Sequence, residues 1–196
     1  MLAKTMLVGL LALAVVAAAA AAPFHHPYGQ WREYNRDWLA ACPDAIKEDG
    51  LSYEDYSCFA STGSQELNGA NLPAYALTLI RNRLTGDVDI AVTVALDKGE
   101  VDITRPLVLT FGGEAPERFV FATDLETRHN VSNQYFIQDG TRRDALLERM
   151  KQRNAVTLSV PLTGADVPTR DTRLSLRGVA ASLDFMTSYA RKVTQY

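Results

Sequence analysis

Catalytic signatures are what this 196-residue chain most plainly lacks. There is no G-x-S-x-G elbow, no S-x-x-K pair and no H-E-x-x-H helix, which excludes the common serine and zinc hydrolase sites. Histidine and cysteine are scarce, three and two residues, and no C-x-x-C occurs, so a redox or metal site finds little support in the sequence. Neither sign of charge dominates, with 20 Lys and Arg against 23 Asp and Glu. A nucleic-acid surface needs a basic excess to neutralise phosphates, so no nucleic-acid partner is expected. Two cysteines are too few for a disulfide-dense miniprotein, and the composition is neither collagen-like nor that of a disordered chain. Long apolar runs are missing too, except at one place.

That place is residues 1–22. Lys4 supplies a positive start, Met6 to Val16 an apolar stretch, and Ala17 to Ala22 several A-x-A cleavage choices, the pattern of a secretory signal peptide. No Cys stands near the cut, so a lipoprotein anchor is not indicated. The competing reading is a retained anchor: Thr5 to Ala22 would span about 27 Å as a helix, just short of a bilayer core. Without Lys4 the mature body has 19 basic against 23 acidic residues, and its length suits one domain. Residues 23–30 read as a flexible N-terminal segment, and 31–196 as a single β-rich domain.

Export places Cys42 and Cys58 in an oxidising compartment, where a pair is expected to be bonded. The bridge would close the fifteen residues Pro43 to Ser57, a loop worth roughly 3 kcal/mol in the chain-entropy model. Redox and metal roles are the alternatives, without a C-x-x-C or a nearby His to support them. The enclosed loop carries five carboxylates and one lysine but lacks the alternating ligand spacing of a calcium loop, so it reads as solvated. His25-His26, between Pro23 and Pro27, reads as an exposed terminus rather than a metal site. Trp31, Tyr34 and Trp38 are expected to anchor the first strand to the core.

Val88, Ile90, Val92, Val94 and Leu96 alternate with Asp89, Ala91, Thr93 and Ala95, the period of a half-buried strand. After Asp97-Lys98-Gly99-Glu100 the alternation resumes through Val101, Ile103, Leu107, Leu109 and Phe111, which predicts a hairpin. Pro106 inside the second run predicts an edge position or a bulge. Further strands are expected at Tyr75–Arg81, Phe119–Ala122, Gln134–Ile137, Val156–Val160 and Arg173–Leu176. Gly112-Gly113 reads as a turn with no nucleotide role. Two segments have helical period instead. Thr141–Arg153, capped by Asp139 or Thr141, buries Ala145 or Leu146 with Met150 and carries Arg142, Arg143, Arg149, Lys151 and Arg153 elsewhere. That basic face reads as solvated, the alternative being an acidic partner or a phosphate. Val179, Leu183, Met186, Ala190 and Val193 form the stripe of a second helix, expected to pack on a sheet. The fold class is therefore mainly β: an antiparallel β-sandwich-like domain with two helices in its C-terminal half.

No residue is assigned a catalytic, cofactor or metal role. His129, with Ser132 and Asp124 nearby in sequence, sits in a polar stretch and reads as a surface histidine. Carboxylate pairs are plentiful, but sequence spacing places none across a cleft.

The layout resembles the invasion-associated locus B family of exported proteobacterial proteins. The resemblance rests on Trp38-Leu39-Ala40-Ala41-Cys42-Pro43, Ser57-Cys58-Phe59-Ala60, Ile103 to Leu109, Asp144 to Lys151 with Val156 to Val160, and Leu174 to Leu183. It departs at a second-half cysteine pair common in that family and absent here. It implies a non-enzymatic, periplasmic or envelope-associated β-sandwich protein, with protein partners in the envelope and membrane contact only if the leader is retained. The alternatives are an accessory subunit of a membrane complex held by an uncleaved N-terminal helix, with the domain in the periplasm, and a secreted virulence or adhesion factor or a hydrolase with a non-standard site.

Overall fold

The computed structural model describes residues 22–45, 57–128, 131–164 and 169–192. The leader, most of the acidic disulfide loop and His129 lie outside the described residues. In chain order come β1 (Phe24–His26), β2 (Gln30–Asn35), β3 (Trp38–Pro43), β4 (Ser57–Gly63), β5 (Tyr75–Asn82), β6 (Val88–Val94), β7 (Leu107–Thr110), β8 (Glu117–Phe119), β9 (Leu125–Glu126), β10 (Gln134–Ile137), α1 (Gly140–Gln152), β11 (Ala155–Pro161), β12 (Thr169–Ser175) and α2 (Val179–Lys192). Eight strands form one antiparallel sheet in the order β1-β2-β3-β4-β5-β6-β10-β9, and four form a second in the order β12-β11-β7-β8. The mainly β, sandwich-like architecture with two late helices is the one the alternation patterns indicate.

One core fills the space between the layers. Ala40, Ala60, Leu77, Leu79, Ile90, Val92 and Val94 enter it from the large sheet, and Leu107, Leu109, Val156, Leu158, Val160 and Leu174 from the small one. Each fully buried aliphatic side chain contributes roughly 1.5–3 kcal/mol, so the large aliphatic residues at every second position of β6 and β11 fix which face turns inward. α2 lies over β2, β3 and β4 with Val179, Leu183, Met186 and Ala190 buried, as its stripe demands. No helix among the described residues is long and apolar enough to cross a membrane.

Cys42 and Cys58 are joined, with Cα atoms 4.2 Å apart. The β3–β4 register, with Ala40 opposite Ala60 and Ala41 opposite Phe59, leads directly to this cross-strand position, and both cysteines are buried in the core. Trp38 is fully buried, whereas Trp31 and Tyr34 are partly exposed and anchor less than expected.

The sequence pattern misplaces three features. The hairpin expected between Val88–Leu96 and Val101–Phe111 does not form: β6 pairs with β5 and β10, while β7 lies between β11 and β8. A 3-10 turn at Leu96–Lys98 and Gly99, whose φ of +110° a side chain rarely adopts, redirect the chain. Val101 then bridges Leu162, and Arg105 donates to the Leu162 carbonyl at 3.0 Å, so the chain crosses to the other sheet. Pro106 accordingly stands just ahead of an interior strand, where its missing N–H breaks no ladder. The strand expected at Phe119–Ala122 instead ends at Phe119, and the chain turns over residues 121–124 with the Asp124 N–H donating to the Val120 carbonyl. Residues 24–26 pair with β2 as strand β1, Phe24 stacking on Tyr34 and His25 meeting Trp31 edge-on. His25 Nε2 also lies 2.6 Å from Asp44 Oδ2.

The basic face of α1 is the third correction. Asp139 caps the helix, its carboxylate accepting from the Arg142 N–H at 2.8 Å, and Leu146, Leu147 and Met150 are buried. The arginines neither wave in solvent nor await a partner. Arg142 and Arg149 lie over the rings of Phe119 and Phe111, 4.4 and 4.5 Å from the ring centres. Their heads pair with Asp124, Glu117 and Glu114, while Arg143 joins Arg128 on Asp89 and Arg153 reaches Glu114. The helix is thus clamped onto β6 and the β7–β9 region by stacked, charge-assisted contacts.

This clamp is acid-sensitive. The Val120 N–H, with the Arg142 guanidinium, holds the Asp124 carboxyl below the usual range. At Glu114 burial pushes upward, but hydrogen bonds from Arg153 and Arg149 prevail and hold it low. Carboxyls depressed by folding stabilise fully above their unfolded pKa of about 4, and that stability drains away as pH falls through the lower folded values. Melting temperature should therefore fall steeply below about pH 4, and Asp124→Asn should flatten that slope. An unchanged slope in the variant would remove Asp124 from the clamp.

Candidate functional site

The face of the large sheet turned away from the core carries an open groove of about 710 Å³. That is the size of a small-molecule or short-oligomer site. Its floor follows from alternation. On β5, Leu77 and Leu79 enter the core, so Ala76 and Thr78 point the other way, and β6 does the same with Val92, Val94 and Thr93. The register then sets Ser61 opposite Thr78, Gly63 opposite Ala76, Ala76 opposite Thr93, and Thr93 opposite Gln134. Small side chains at Gly63, Ser61 and Ala76 leave the trough, and hydroxyls and an amide line it.

One wall is the loop of residues 64–74. Asn68 Oδ1 accepts from the N–H groups of Ala70 and Leu72 at 2.9 and 3.0 Å, which coils the loop on itself. Asp97 accepts from the Gly69 N–H at 2.7 Å, and Glu66 pairs with both Lys98 and Arg170. The Arg170 hydrogen bond holds the Glu66 carboxyl below its usual range. Pro73 then closes over Gly63, where a Cβ would lie 2.3 Å from the proline Cβ, so only glycine admits this wall. At the other end stand Tyr34, half exposed, and the Arg36-Asp37 turn between β2 and β3.

Two floor residues have unused hydrogen-bonding capacity. Thr78 is 5% exposed and its hydroxyl has no hydrogen-bond partner among the described residues. Gln134, 6% exposed, donates through Nε2 to Thr93 Oγ1 at 3.2 Å, while its carbonyl oxygen accepts nothing there. Neither oxygen is among the fully buried, unpartnered polar atoms, so both remain open to the groove, where a ligand can supply the partner that water otherwise does. Thr78→Val, close in shape and without the hydroxyl, should change the unfolding free energy by less than about 1 kcal/mol. Urea denaturation checks this, and a larger loss of stability would mean that the hydroxyl has a partner within the fold.

Cys42 and Cys58 are on the core side of the sheet, behind the groove, so the bridge supports the floor without lining it. No group of three or more His, Cys, Asp or Glu residues among those described is arranged to hold a metal. Asp124, considered beside His129, serves instead as a partner of Arg142 and the Val120 N–H. Sequence reasoning missed the groove residues altogether. Their only local signal is Thr or Ser where a half-buried strand turns outward, next to unusually small neighbours.

No protein-family model matches the chain, and no curated protein matches it in sequence. Among solved structures, it is similar to the crystal structure of invasion associated protein B from Bartonella henselae. The TM-score is 0.54 at 17% identity, covering 82% of this chain and 98% of that one. The two share a fold, in accord with the resemblance read from the cysteine-flanking and C-terminal segments.

Proposed function

We propose that this chain is a non-enzymatic, exported envelope protein of the invasion-associated type that works by binding, with the groove on its large sheet as the binding surface. The observation that carries the reading is the groove itself: ligand-sized, walled by a loop held by Asp97 and Arg170, and floored with neutral polar groups open to the trough. The signal-like leader and the buried Cys42–Cys58 bridge support an oxidising, extracytoplasmic location. A second reading, an accessory subunit held to the membrane by an uncleaved leader, is favoured by one feature. Phe24, Tyr28, Trp31 and Tyr34 expose aromatic surface on the ribbon that directly follows the leader, as residues at a membrane interface do.

The test is fractionation of the native host expressing a C-terminally tagged chain, with intact mass and a cross-linking pull-down from the same sample. The expected result is a periplasmic chain cleaved near residue 22, lighter by two hydrogens, whose cross-linked envelope material is lost in Ala76→Trp. A chain of full mass that brings stoichiometric membrane subunits would establish the second reading. A cytoplasmic chain with free thiols would overturn the location, and capture unaffected by Ala76→Trp would overturn the role of the groove.

A further inference from the structure

We infer that the groove takes a neutral oligosaccharide; the inference rests on the binding role proposed above and names its ligand class. Three properties of the floor lead there. Its polar groups are uncharged: Ser61, Thr78, Thr93 and Gln134 offer hydroxyls and an amide, and the charged residues Arg36 and Asp37 stand only at one end of the rim, where Asp37 pairs with Arg177. Asp37 is moreover engaged, accepting from the Ser175 hydroxyl at 2.6 Å. An anionic headgroup would find no counter-charge on the floor.

Second, the free valences match hydroxyl chemistry. Thr78 can donate or accept, and the Gln134 carbonyl can only accept. A partner that both donates and accepts at closely spaced points satisfies them, and sugar hydroxyls do this. An acyl chain would leave both groups buried and unpaired, which is unfavourable at each site. A peptide binding by strand addition needs the free edge of a sheet, and this groove crosses the face of β4, β5, β6 and β10 instead.

Third, the surface is flat and stepped. Neighbouring strands lie about 4.8 Å apart, so the floor from Ser61 to Gln134 extends roughly 14 Å, room for several rings in a row. Tyr34, Leu39, Leu72 and Pro73 supply apolar surface at the sides, against which the C–H faces of sugar rings pack.

The experiment titrates the mature protein with chitotetraose, maltotetraose and, as a charged counterpart, tetragalacturonate, read by calorimetry and saturation-transfer NMR. At least one neutral tetramer should bind saturably. Thr78→Val and Gln134→Leu should each weaken that binding about 5–10-fold, the worth of one hydrogen bond. Ala76→Trp, which fills the trough from a half-buried position, should abolish it, and tetragalacturonate should bind at least tenfold more weakly. No saturable binding of either neutral tetramer overturns the inference, as does binding indifferent to Thr78→Val and Gln134→Leu, or equal affinity for the charged tetramer. The two point variants keep the test decisive if Ala76→Trp does not fold. Failure of the wider binding role is distinguishable, since it appears as envelope capture that survives Ala76→Trp. Capture lost in that variant without tetramer binding would reject the saccharide alone.

Discussion

Replacing both cysteines by alanine is expected to lower the unfolding free energy by about 2–5 kcal/mol. The bridge closes the fifteen residues between Cys42 and Cys58, and in the chain-entropy model a loop of that size is worth roughly 3 kcal/mol. The remainder comes from the site. Both sulfurs are in the core, so alanine at both positions also leaves a void beneath α2. Against a typical total of about 5–15 kcal/mol, this single covalent link is a major share. The double variant is preferable to Cys58→Ala because it leaves no lone thiol to pair between molecules. Urea denaturation with and without reductant measures the effect. An unchanged midpoint in the double variant would show that β3 and β4 hold together without the bridge.

The bridge is also the clearest case of what the sequence can reveal. A signal-like leader predicts an oxidising compartment, two cysteines allow one intramolecular pairing, and no geometry is needed. The α2 stripe, the Asp139 cap and the alternations of β6 and β11 are legible for a related reason, since each is a local pattern that burial alone must satisfy. Pairing is not local. The alternation through Leu107 and Leu109 reads the same whether β7 adjoins β6 or β11, and β6 takes its second neighbour from β10, forty residues further along the chain. The arginines of α1 show a similar ambiguity: interspersed charges look solvated until distant carboxylates at Asp89, Glu114 and Asp124 are brought beneath them. The groove is the extreme case. Ser61, Thr78, Thr93 and Gln134 come from four strands, and each alone is the ordinary polar half of an alternation. Only the register makes them a surface, with the loop of residues 64–74 as its wall.

Gly178→Ala is expected to be at least as damaging, by about 4 kcal/mol or more. Gly178 ends the corner between β12 and α2 with a φ of +117°, which alone costs a side chain on the order of 1 kcal/mol. Space is the larger obstacle. A Cβ there would lie 1.9 Å from the Asn35 carbonyl oxygen and 3.3 Å from Trp38 Cδ1. The clash is with backbone, which cannot rotate away. Nor is the backbone free to shift. The Trp38 indole donates to the Ser175 carbonyl at 2.9 Å, the Ser175 hydroxyl donates to Asp37, and the Asp37 N–H meets the Arg177 carbonyl at 3.3 Å. The β2–β3 turn and the start of α2 are thus interlocked, and separating them unseats a fully buried tryptophan. Gly113→Ala supplies the control, because that residue also has positive φ, +80°, with nothing within 4 Å of the added carbon. The difference between the two variants isolates the close approach from the backbone preference. If thermal unfolding shows the two alanines equally tolerated, α2 is not seated on the β2–β3 turn, and the rim of the groove at Arg36 and Asp37 loses the support that fixes its shape.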